Sequence, residues 1–195
     1  MAIRVVTPPA VEPITLTELK AHLRITHDDE DTILTVYLKA ARMYAETTLC
    51  WRAFITQELE LARDSFPSVF SLPRPPLQAV TSIIYRERNG TFETIDPADY
   101  IVDTDSEPPR IVPAADERWP SDTLYPVNAV RVRYLAGYGA APDDVPTEIR
   151  QGILILAAHF YEVREPVVIG TSVMVVPMTA EALLMPYRVW GGDVG

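Results

Sequence analysis

The sequence predicts an α+β fold, with helices towards both ends of the chain and β structure between them. Three observations carry this reading. Apolar residues keep helical spacing from residue 16 to residue 49. The run VPTEIRQGILILAAHFYEVRE, residues 145–165, is a strong helix signal. Between them, residues 54–138 alternate strand-like segments with proline and glycine. The expected architecture is a helical core, made of the N-terminal helices and the long late helix. An antiparallel β-rich insertion lies between the second helix and the long one. The corresponding divisions are 1–53, 54–145 and 146–195.

Residues 1–13 read as an extended arm, because Pro8, Pro9 and Pro13 disfavour helix. Thr15 and Glu18 then form a capping box, in which the hydroxyl and the carboxylate each serve the other residue's backbone N–H. A helix over 16–23 follows, with Leu16, Leu19 and Leu23 on one face and Glu18 and Lys20 left to solvent. Acidic residues 28–31 mark a second helix start, running to about Leu49. Its apolar positions Ile33, Val36, Tyr37, Ala40, Ala41, Tyr44 and Thr48 predict a buried face, with Lys39, Arg42 and Glu46 outside.

Strands are expected at 54–61, 70–72 and 79–88, the last meeting Asn89-Gly90 as a type I′ turn and returning through 91–95. Asp96-Pro97 turns the chain into short strands at 100–103 and 110–112. A final strand at 127–135 places Val130, Val132 and Tyr134 on one face and Arg131 and Arg133 on the other. In the long helix, Pro146 suits the first helical position, while Glu148 and Arg164 match the dipole at the two ends. Its middle, Ile153 to Tyr161, is apolar except for His159 and needs cover on several sides. That cover comes either from the chain's other helices or from another subunit. Pro166, Gly170 and Pro177 then break the chain before a short helix over 179–185 and a tail with Tyr187 and Trp190. These two aromatics suit a docked position, in the core or at an interface.

Composition narrows the function. The net charge is −10, and residues 54–145 hold 15 acidic against 8 basic groups. This argues against gripping nucleic acid by neutralising phosphates. The lone Cys50 reads as a small buried residue, and no segment resembles a secretory signal or a membrane span. A protein made in the cytoplasm is the expectation. Gly137-Tyr138-Gly139 lacks the third glycine of a dinucleotide loop and suits a sheet-to-helix turn better. The acidic run beside His27 fails the calcium-loop pattern and suits a helix N-terminus. Leu72 to Leu77 contains a P-x-x-P spacing but reads as a rigid lead into a strand. His22, His27, His159 and Cys50 form no recognisable catalytic motif. No cofactor or metal is expected.

Taken in order, LTELKAHLRITHDDEDTIL, LPRPPLQAVTSIIY with DPADYIVD, VRVRYLAGYG, the 145–165 helix and ALLMPYRVW resemble the head-tail connector proteins of tailed bacteriophages. These are also called head-completion or adaptor proteins, and the resemblance is to the subgroup with a β-rich insertion. It implies a non-enzymatic virion protein forming a homo-oligomeric ring, twelvefold by implication, under the portal. Such a ring continues the DNA channel and offers a surface to a tail or stopper protein. A portal-docking segment from Thr171 to Trp190 is implied, anchored by Met178, Leu183, Leu184, Tyr187 and Trp190. Ile153, Ile155, His159 and Tyr161 are the implied ring contacts. Acidic residues of 54–145 would line the lumen and let DNA slide without binding. A DNA-packaging accessory or a small enzyme are the alternatives.

Overall fold

The computed structural model describes residues 1–121, 123–163 and 177–190. It is α+β, as expected, and its chain forms two compact units. The sheet unit comprises Met1–Ala10 and Thr56–Tyr138, with Val189 and Trp190. The helical unit comprises residues 11–55 and the described part of 139–188.

In the sheet unit, β1 (Ala2–Thr7), β2 (Gln57–Arg63), β4 (Leu77–Arg86), β5 (Phe92–Thr94) and β8 (Val130–Ala136) form one antiparallel sheet in the order β1-β2-β8-β4-β5. A smaller sheet joins β3 (Phe70–Ser71), β7 (Arg110–Pro113) and β6 (Tyr100–Asp103) in that order. The alternation expected of β8 is present, with Val130, Val132 and Tyr134 buried and Arg131 and Arg133 on the opposite face. Leu59 pairs with Tyr134 and Leu61 with Val132, so β2 adds its own buried pair to the same face. The buried Tyr134 hydroxyl donates to the Pro73 carbonyl at 2.7 Å. Pro73 and Pro75 are themselves buried, so the proline run is packed inside the unit and does not present a ligand.

Two β expectations need correction. The N-terminal arm is a strand, because Ile3, Val5 and Val6 are β-formers that complete the sheet edge beside β2. The Asn89-Gly90 hairpin is not type I′, since that turn needs positive φ at both residues and only Gly90, at 98°, has it. The chain instead closes through Arg88–Gly90, with the Gly90 N–H donating to Glu87 O and the Glu87 N–H to Thr91 O, both at 2.9 Å. A glycine relieves the one left-handed position of this longer loop.

In the helical unit, α1 (Leu16–Leu23), α2 (Asp31–Tyr44), α3 (Thr147–Glu162) and α4 (Met178–Leu184) pack together, and α2 continues into a π turn over Ala45–Leu49. The Thr15–Glu18 capping box is formed. Glu18 and Lys20 are not left to solvent, however. Glu18 accepts from Arg150 at 2.7 Å, and the Lys20 ammonium bridges Asp28 at 2.5 Å and Asp31 at 2.7 Å. Much of the acidic run therefore ties α1 to the start of α2. Pro146 precedes the first turn of α3, with Thr147 as its first residue. Arg164 lies outside the described residues.

The buried face of α2 differs from the one its spacing suggested. Leu34, Leu38, Ala41 and Ala45 face the core together with Arg42 and Glu46, whereas Ile33, Val36 and Ala40 are exposed. Both stripes are apolar at helical spacing, so period alone does not choose between them. The decision rests on an ionic network. Arg42 donates to Glu12 and to Glu46, each at 2.6 Å, and Glu46 also accepts from the Phe54 N–H at 2.9 Å. With their charges matched and hydrogen-bonded, Arg42 and Glu46 tolerate burial.

Candidate interaction surfaces

The described residues bring no catalytic groups together. His22 and His27 are exposed on α1 and the loop after it, and Cys50 is buried with its Sγ donating to the Leu184 carbonyl at 3.5 Å. Burial pushes the Cys50 thiol up to about 11, so it stays protonated near neutral pH. Among the described residues no cluster of metal-ligating side chains occurs. A recess of about 180 Å³ beside Ile14, Thr147 and Leu154 contains Glu18 and Arg150, which bond one another. A second, of about 130 Å³, lies in the sheet unit beside Trp119, which stacks on Phe66. Neither assembles a nucleophile with a base.

The apolar side chains of α3 divide by burial. On α3, Ile149, Ile153, Leu156 and Ala157 are fully buried, and Gly152 lets α4 approach closely: a Cβ there would lie 2.8 Å from Leu184 Cγ. The long helix thus obtains most of its cover from its own unit. Ile153 consequently has no surface to offer a neighbour, whereas Ile155, His159 and Tyr161 keep part of theirs. Tyr161 meets Tyr37 edge-on at 6.4 Å and donates to Glu30 at 2.6 Å, and Phe160 meets Tyr44 edge-on at 6.3 Å. These contacts clamp α3 to α2.

The residues expected to anchor a portal divide in the same way. Leu184 is fully buried, its side chain lying where a Cβ on Gly152 would stand. Tyr187 is half-buried, its hydroxyl donating to Glu148 at 3.0 Å and its carbonyl accepting from Arg52 at 2.8 Å. Leu183 is also half-buried. Met178 is 80% exposed and Trp190 64% exposed. Residues 171–176 of the expected docking segment fall outside the described part.

Several arginines of the β region are engaged within their own unit. On the outer face of the large sheet, Glu60 is buried beneath Arg4 at 2.8 Å and Arg133 at 2.9 Å, with Arg131 at 3.8 Å. The cross-strand register Arg4–Glu60–Arg133 produces this arrangement. The Arg86 guanidinium lies over the Tyr125 ring at 3.9 Å and the Phe92 ring at 5.3 Å.

The order of these elements corresponds to a known group. The family model of the phage gp6-like head-tail connector proteins matches residues 13–103, from the end of the arm to the last residue of β6. Over these residues, just under half of its length, the chain is similar to the head-tail connector family. β8, α3 and the C-terminal segment lie beyond that match, and for them the likeness rests on solved structures. A chain from the neck of an empty GTA particle, computed with C6 symmetry, is 25% identical with a TM-score of 0.82. A chain from the virion of a native gene transfer agent (GTA) particle is 26% identical with a TM-score of 0.79. A chain from the neck of a native GTA particle, computed with C12 symmetry, is 26% identical with a TM-score of 0.76. Each likeness covers 100% of this chain and 99% of the other chain. No curated protein matches it.

Proposed function

We propose that this chain is a head-tail connector, a structural subunit of the neck of a phage-like particle, where copies close into a ring between the portal and the tail. The observation that carries the reading is the end-to-end likeness to neck chains of particles with cyclic symmetry. Twelve copies are the proposed number, following the C12 neck. The ring is proposed to be non-enzymatic, to continue the DNA channel, and to present one face to the portal and another to a tail or stopper protein. Met178, Leu183, Tyr187 and Trp190 are the proposed portal contacts, the first and last because their side chains are largely uncovered. Ile155, His159 and Tyr161 remain proposed ring contacts.

DNA is proposed to pass without being held. A net charge of −10 repels the duplex, and Arg131 and Arg133 are already paired with Glu60. The test is genetic and structural. With the gene disrupted, heads and tails should accumulate unjoined, and the restored connector should appear as a ring at the neck. Joined, DNA-delivering particles made without it would refute the proposal.

A further inference from the structure

We infer that the outward face of α2 is the apolar centre of the seam between neighbouring copies in the ring, an inference that rests on the connector reading. Ile33, Val36, Ala40 and Met43 follow one another at spacings of three, four and three, forming a stripe along the length of the helix. Ile33 is 37% exposed, Val36 54% and Met43 48%. α2 is thus apolar on two sides, and its own unit covers one. Tyr37 and Tyr44 border the open stripe where they meet Tyr161 and Phe160 of α3. This makes the stripe continuous with the half-covered edge of α3 that includes Tyr161.

Charge selects the occupant. From Thr32 to Thr48 the only charged side chain left at the surface is Lys39, because Arg42 and Glu46 are buried together. In a chain where 23% of residues are charged, such depletion marks the interior of a protein contact and suits neither open solvent nor a phosphate backbone. Two copies carrying −10 each repel wherever their acids face one another. A face that is neutral except for one cation is where an acid-rich second copy meets attraction. Cyclic closure makes the contact heterologous, so the stripe meets a different patch on the next copy.

Size sets the character of the seam. Fourteen residues make a helix about 21 Å long, and a face about 10 Å wide gives a footprint of roughly 200 Å². A stable interface needs about 800 Å² from each partner. The stripe is therefore the dry middle of a larger contact, the place where a single buried charge does most damage.

The experiment compares the full chain with its Val36→Glu/Met43→Glu variant by native mass, alone and with the portal protein of the same particle. The expected result is at least a tenfold loss of ring at equal concentration, with the monomer's circular dichroism and Tm unchanged. In parallel, a photo-crosslinking residue replacing Val36 in the otherwise native chain should join copy to copy. Rings forming normally from the double variant, or adducts confined to the portal protein, would overturn the seam and leave the connector reading intact. Failure of the unaltered chain to form a ring in either condition would overturn both.

Discussion

The buried network at the end of α2 supports a quantitative prediction. Arg42→Ala removes a guanidinium that bonds Glu12 and Glu46 at 2.6 Å, and leaves the Glu46 carboxylate almost fully buried without that cation. Stranding one member of a buried ion pair costs about 3–5 kcal/mol. For a chain of this length each kcal/mol lowers Tm by about 2–4 °C, so a fall of roughly 10 °C is expected. Glu46→Gln keeps an acceptor for Phe54 and leaves Arg42 its bond to Glu12, so its loss should be smaller, about 1–2 kcal/mol. The assay is urea and thermal unfolding of the monomer followed at 222 nm, which reports the helical unit directly. A loss below about 1 kcal/mol for Arg42→Ala is what solvent-exposed pairs show. That result would refute burial of the network, and with it the reason why α2 turns Ile33 and Val36 outward.

Three further outcomes follow from the same structure. Gly152→Val should destabilise the chain by about 1–3 kcal/mol by forcing α4 away from α3, and Leu184→Ala in that background should recover part of the loss in thermal unfolding. Cys50 should resist a thiol reagent at pH 8 until urea is added, since a thiol at about 11 is only about 0.1% thiolate there; rapid labelling of the native chain would contradict its burial. Hydrogen bonds from Ser106 and then Arg110 hold the Asp103 carboxyl well below the usual carboxylate range. Its contribution to stability is therefore present above the ordinary carboxylate pKa of about 3.9 and is lost as pH falls below it. Arg110→Ala should raise the Asp103 titration in a carbon-detected NMR experiment, and an unmoved midpoint would show that the bonds from Ser106 and the Asp105 N–H set it.

Local chemistry made much of the fold readable. A hydroxyl and a carboxylate three residues apart specify the start of α1. Strict alternation specifies the two faces of β8. Both signals act over a few residues and need no partner. The orientation of α2 was hidden because the buried Arg42–Glu46 pair depends on Glu12, 30 residues earlier, whose nearness is tertiary information. The same holds for β1, which is a strand only because β2 lies beside it. Among the portal contacts implied by the resemblance, Met178 and Trp190 are exposed. Composition could not separate them from Leu184 or Ile153, since an apolar side chain that packs inside and one that waits for a partner look alike in sequence. The α2 stripe shows this most directly. Its apolar residues were legible, whereas the surface they cover was not.

The most direct test of the central claim is the native mass of the full chain, alone and mixed with the portal protein of the same particle. The account predicts a discrete cyclic species of connector copies in at least one of these conditions, most informatively one that forms only when portal is present. A connector that stays monomeric in both, at concentrations where the portal itself is assembled, would contradict it.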